Sequence, residues 1–297
     1  MSGRWGSRAA RHRRRLVAAL AVSLAFLAVE VAGGLLSGSL ALLADAGHML
    51  ADASGIGLAL FAAWLAERPA PPERSFGWYR VEILAAVVNG VLLLGVAALV
   101  LFEAWRRWAE PRPVAGGLML GVAVAGVVAN AVSARLLHEG QRESLNVRGA
   151  YLEVLGDLLG SAAVVVAAAA IALTGFVRAD ALASAAVGLL ILPRTWGLLR
   201  EAVDVLLQAA PRDVDLAEVR RHVLETPGVA DAHDLHVWTL TSGVHVVSAH
   251  VVLAEGADPA RVLDELCACL AGDFDIEHST FQLETQDRRR LEQVIHP

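Results

Sequence analysis

Two pairs of polar side chains stand inside apolar sequence, where such groups are costly to place. In Leu43-Ala-Asp-Ala-Gly-His48-Met-Leu-Ala-Asp52, His48 and Asp52 are four residues apart, within an apolar run from Gly38 to Leu65. On a helix that spacing puts both on one face, with Asp45 leaning toward it one turn earlier. Tyr151-Leu-Glu153-Val-Leu-Gly-Asp157-Leu-Leu-Gly-Ser161 repeats the spacing with Glu153 and Asp157. A charged side chain at the bilayer centre costs roughly 2.5–3.5 kcal/mol on insertion scales, so something must offset it. For one pair, an internal Arg or a polar cap would do. Two matched pairs on separate spans can instead offer one imidazole nitrogen and three carboxylates to a shared point. That donor set suits a four-coordinate divalent cation such as zinc, with cobalt and cadmium as further candidates. Ligands bind metal deprotonated, so loading such a site displaces protons.

The elements that carry these pairs follow from composition. Hydrophobic residues make up 56% of the chain and the mean hydropathy is +0.53, beyond a soluble domain. Six spans of about 20 apolar residues are expected, near 16–36, 40–67, 81–105, 114–137, 149–173 and 181–207. Pro193 predicts a kink or an early exit in the sixth. Six spans put both termini on one side. Arg11, Arg13, Arg14, Arg15, Arg68, Arg74, Arg80, Arg135, Arg142 and Arg148 fall on one face; Arg106, Arg107, Arg112 and Arg178 fall on the other. The richer face is expected to be cytoplasmic, in a multi-pass protein of the cell membrane. Trp105 and Trp108 suit an interfacial belt, and Gly33 and Gly34 a close helix approach. Glu82, Asn89 and Asn130 read as interhelical hydrogen-bonding groups, and Asp180, beside Arg178, as a solvated span end.

From Ala209 the composition becomes that of a soluble domain, and α-β-β-α-β is expected. A helix over Leu216–Glu225 sits behind an Asp cap, strands cover 232–240 and 244–253, Pro259 opens a second helix, and 276–283 forms the last strand. The division is therefore a basic head at 1–15, a six-helix membrane domain at 16–208, an α+β domain at 209–290 and a tail at 291–297. Seven of the ten His residues follow Ala209. Adjacent strands could bring His233, His250 and His278 together with Glu284 nearby, as a second metal site. Cys267 and Cys269 exclude a disulfide framework; two apart on a helix, they point to nearly opposite sides and read as packed, reduced thiols.

The two motifs resemble those of the second and fifth helices of the cation diffusion facilitator transporters. Arg74-Ser-Phe-Gly-Trp-Tyr-Arg-Val-Glu82-Ile-Leu-Ala-Ala is similar to the start of that family's third helix. The resemblance spans nearly the whole chain. It implies a homodimeric exporter of zinc and related divalent ions working by proton exchange between two conformations. It also implies a metallochaperone-like cytoplasmic domain, in which similar His positions bind regulatory zinc. One position departs: the zinc-exporting branch usually has His where this chain has Glu153, which leaves manganese or iron open as the cargo. A metal sensor or an intramembrane metalloenzyme could use the same groups. An enzyme needs an open metal position and a separate base or nucleophile, and no HExxH or GxSxG pattern occurs. No nucleic-acid partner is expected.

Overall fold

The computed structural model describes residues 3–66, 68–138, 145–276 and 278–291. Arg142, His296 and the tail beyond Leu291 lie outside the described residues, as do the side chains of the N-terminal arginines and Arg148. Six long helices come first: α1 (Gly3–Ser37), α2 (Leu40–Ala66), α3 (Arg80–Ala109), α4 (Gly116–His138), α5 (Leu145–Thr174) and α6 (Arg178–Leu206). Among the described residues, five of them are long and apolar enough to cross a membrane, over Val17–Ser37, Arg80–Ala109, Gly116–His138, Tyr151–Thr174 and Arg178–Leu206. The remaining one, α2, carries the His48 motif along 27 residues. Pro193 lies inside α6, which runs on to Leu206 without an exit.

The chain divides into two compact units, Met1–Gly57 with Val88–Leu198, and Leu58–Val87 with Leu199–Pro297. In the first, Ala41, Leu42, Met119, Val122, Val164, Ala168 and Ile171 form one buried cluster, drawn from α2, α4 and α5. Small residues allow the close approach. A Cβ on Gly33 would stand 2.5 Å from a Val122 methyl of α4, and one on Gly34 would stand 2.8 Å from Leu43 of α2.

The turn between α1 and α2 rests on Gly38, whose φ of 72° suits a residue without Cβ. Asp180 of α6 anchors the helix start that follows. It is 1% exposed. Its carboxylate accepts hydrogen bonds from Ser39 Oγ at 2.6 Å, Leu40 N at 2.9 Å and Ala41 N at 3.1 Å. Arg107 of α3 donates to it at 3.2 Å and to Gly38 O at 2.6 Å. This corrects the solvated reading of Asp180: it supplies from another helix the cap that the first amides of α2 need. Arg178, two residues before it, bonds Trp108 O instead.

Asn130 of α4 donates to Ser161 of α5 at 3.2 Å, an interhelical bond as expected of it. Glu82 belongs to a different arrangement. Within the second unit it accepts from Thr241 and, at 2.9 Å, from Ser242, both on the hairpin described next.

The C-terminal elements are α7 (Leu216–Glu225), β1 (Val229–Thr241), β2 (Val244–Leu253), α8 (Pro259–Phe274), β3 (His278–Glu284) and a short α9 (Gln286–Leu291) that the sequence pattern did not announce. Asp215 caps α7 through Ala217 N, and Asp258 caps α8 through Ala260 N, with Pro259 in the first turn. The sheet order is β1-β2-β3, antiparallel then parallel. Val219, Val223, Val237, Val247, Val251, Leu266, Leu270 and Ile276 form the core between sheet and helices.

Candidate metal centre

α2 brings His48 and Asp52 onto one face. Their Nε2 and Oδ2 atoms are 3.4 Å apart, the product of four-residue spacing on a helix. Asp157 comes from α5, with its Oδ1 3.8 Å from the same His48 Nε2. One imidazole nitrogen thus faces carboxylates from two helices. Tetrahedral zinc with bonds of about 2.0–2.2 Å requires N···O edges of about 3.3–3.5 Å. The two edges from His48 lie at or a few tenths of an ångström beyond that range, so the imidazole faces each carboxylate at near-ligand separation. All three side chains are largely buried, at 14%, 23% and 12% exposure.

Glu153 is placed differently from its three companions. Its Oε1 accepts a 2.8 Å bond from Arg194 of α6, so an internal guanidinium already neutralises it. One turn before His48 on α2, Asp45 is 3% exposed and accepts from Ser161 Oγ at 3.4 Å.

In the C-terminal domain His233 and His250 face each other across β1 and β2, with ring centroids 5.1 Å apart. Glu284 reaches both from β3: its carboxylate lies 3.7 Å from His233 Nε2 and 3.0 Å from His250 Nδ1. These three can hold a metal ion together. A bulge helps to shape the group. The β1 register shifts between His233 and His236, where Asp234 takes φ 49°, a conformation Asp tolerates. Asp234 then stands 3.9 Å from His250 Nε2.

His278 does not join them. It opens β3 opposite Val246, and its ring meets Phe76 edge-on at 5.7 Å. His250 is opposite Gln282, four residues along the strand, which is about 13 Å at 3.3 Å per residue.

Residues 16–207 match the model of the cation efflux transmembrane domain, and residues 211–286 match that of the cation efflux protein cytoplasmic domain. The chain belongs to the cation efflux family. It is a multi-pass membrane transporter, not an enzyme. The metal cation efflux system protein CzcD of Cupriavidus metallidurans is 48% identical over 96% of this chain and 90% of its own. Zinc transporter ZitB of Escherichia coli is 45% identical over 92% and 88%. A cadmium, cobalt and zinc/H(+)-K(+) antiporter of Bacillus subtilis is 35% identical over 88% and 85%. The solved metal-bound C-terminal domain of the CzcD transporter is 51% identical over 24% of this chain and 99% of its own, with a TM-score of 0.23.

Within this cation efflux protein two residues at the intramembrane group escaped the sequence reading of the site. Arg194 follows the noted Pro193 at the end of the apolar run 181–192, and a cation there demands a carboxylate partner. Glu30 carries the same signal in the first span: its buried carboxyl needs a partner on another helix.

Proposed function

We propose that this transporter exports divalent metal cations from the cytoplasm in exchange for protons, with zinc as the principal cargo and cobalt and cadmium as further ones. His48, Asp52 and Asp157 are its direct ligands, and Glu153 joins them when Arg194 releases it. The observation that carries this reading is the convergence of α2 and α5 on His48 Nε2. An imidazole facing two carboxylates is a borderline donor set that suits zinc. The names of the relatives point to the same cations.

Proton exchange has its own support. Imidazole and carboxylate groups bind a cation in their deprotonated forms, so loading the site displaces the protons it holds. Arg194 supplies the positive charge that the cation would otherwise provide, which favours an alternation between the two. Asp45, on the same α2 as His48, and Glu30 of α1 are further buried carboxyls, available as places to hold a proton. His233, His250 and Glu284 form a separate regulatory zinc site in a cytoplasmic domain, and the C-terminal domain joins two copies into a homodimer.

The test is metal uptake by proteoliposomes. Asp52→Ala and Asp157→Ala abolish zinc flux while the protein still inserts. Parental flux in both variants removes these residues from the transport path.

A further inference from the structure

The outer faces of α7 and α8 carry a third cluster of metal-ligating atoms, formed by His222, Cys269 and Asp273. Cys269 and Asp273 are one turn apart on α8, so they share a face. His222 is in the last turn of α7 and points at both. Its Nδ1 lies 3.1 Å from Asp273 Oδ2 and 3.5 Å from Cys269 Sγ, and the sulfur lies 3.6 Å from that same Oδ2. A tetrahedral zinc with a 2.3 Å sulfur bond and nitrogen and oxygen bonds near 2.0–2.1 Å has edges of about 3.3–3.4 Å for N···O and about 3.5 Å for the two edges to sulfur. All three measured edges agree within about 0.3 Å of those values. The side chains are therefore already spaced as ligands around one ion.

The imidazole is held in this attitude by packing. Phe274 meets the His222 ring edge-on, with centroids 5.1 Å apart and planes at 80°. On the far side of the ring, Nε2 faces the Glu218 carboxylate at 3.8 Å, the kind of outer partner that orients metal-bound imidazoles. Arg221 Nη2 stands 2.9 Å from the same nitrogen, so loading requires this half-exposed guanidinium to swing aside. His222 is 25% and Asp273 54% exposed, which leaves solvent to supply the fourth ligand.

We infer that His222, Cys269 and Asp273 form a separate surface site for a thiophilic divalent cation, cadmium or zinc, that clamps α7 to α8. It shares no residue with the His233, His250 and Glu284 group. Its chemistry differs as well. That group offers only imidazole and carboxylate, whereas a thiolate raises affinity for the softer ion, so cadmium binds here in preference to cobalt.

The experiment uses the full chain in detergent with Cys267→Ser, which leaves Cys269 as the sole thiol and keeps the hydroxyl that can bond Ser279. Cadmium chloride is titrated while Cys269 is alkylated with a neutral reagent. At free cadmium of about ten times Kd, simple mass action slows alkylation about tenfold. Thiolate-to-cadmium absorption grows in the near ultraviolet over the same range. His222→Ala with Asp273→Asn abolishes both signals, and His233→Ala with His250→Ala leaves them in place. The absorption band is also read on the unmodified chain, so the conclusion does not depend on the cysteine variant folding. Absence of both protection and band at millimolar cadmium overturns the proposal. So does full protection in the His222 and Asp273 double variant, or protection that vanishes with His233 and His250.

Discussion

Replacing Asp180 by Ala removes one carboxylate that four donors share, and the structure sets the scale of the loss. Ser39 Oγ, the amides of Leu40 and Ala41, and the Arg107 guanidinium all lose their acceptor in a place that is 1% exposed. Loss of a helix cap alone costs about 0.5–2 kcal/mol. Breaking a buried ion pair from one side costs about 3–5 kcal/mol, because the remaining charge stays uncompensated. These contributions overlap and do not add in full. Arg107 keeps Gly38 O at 2.6 Å and Glu103 at 3.6 Å, which puts its share at the low end. The expected total is about 3–4 kcal/mol. At roughly 2–4 °C per kcal/mol for a domain of this size, the unfolding midpoint falls by about 10 °C. The assay is thermal unfolding in detergent at one fixed scan rate, since membrane proteins often unfold irreversibly. Ser39→Ala, which removes a single donor, costs about 1 kcal/mol. Arg178→Ala, two residues away in sequence but bonded to Trp108 O on the surface, costs less still. An Asp180→Ala midpoint within about 2 °C of the parent, under about 1 kcal/mol on the same scale, contradicts this anchoring role. So does an equal loss in Arg178→Ala.

Other outcomes follow from the same structure. Glu153→His keeps zinc uptake in vesicles and lowers manganese uptake, because imidazole replaces a hard oxygen, while Glu153→Ala loses zinc uptake; parental rates in Glu153→Ala would make Glu153 a bystander. Burial, followed by the Asp273 carboxylate, holds the Cys269 thiol above its ordinary value. With less thiolate at a given pH, the sole-thiol variant alkylates at pH 8 more slowly than a free cysteine, and its rate climbs through a higher pH; a profile matching free cysteine contradicts this. A cysteine at the exposed Glu255, in a chain lacking native thiols, resists an impermeant reagent in intact cells and labels after permeabilisation. Labelling from outside would reverse the topology drawn from the arginines.

What the sequence disclosed, and what it hid, follows the range over which each signal acts. His48 and Asp52 were legible because helical periodicity is local, and the helices themselves because apolar length is local. The α7 and α8 starts were legible through Asp215 and Pro259 for the same reason. Asp180 was misread because its neighbour Arg178 suggested a solvated pair, whereas its partners lie in a turn about 140 residues earlier. Arg194 and Glu153 are 41 residues apart, and nothing in either span's pattern joins them. His278 was grouped with His233 and His250 because strand adjacency was foreseen and register was not. The parallel β2–β3 pairing sets Glu284, not His278, beside the two imidazoles. Cys269 was correctly kept apart from Cys267 by helical geometry. Its actual companions include His222, on a helix whose packing against α8 no spacing rule predicts.

In the proposed cycle a cation bound by His48, Asp52 and Asp157 leaves the cytoplasm as protons take its place. Counting both ions in one preparation tests it most directly. Proteoliposomes holding a pH dye and a zinc dye are loaded with the parent chain or with Asp157→Ala, and zinc is added outside at a fixed membrane potential. The account predicts that each zinc entering the parent vesicles is matched by at least one proton leaving, with the same time course, and that Asp157→Ala abolishes both fluxes together. Zinc uptake without proton movement, or coupled fluxes that survive in Asp157→Ala, would contradict it.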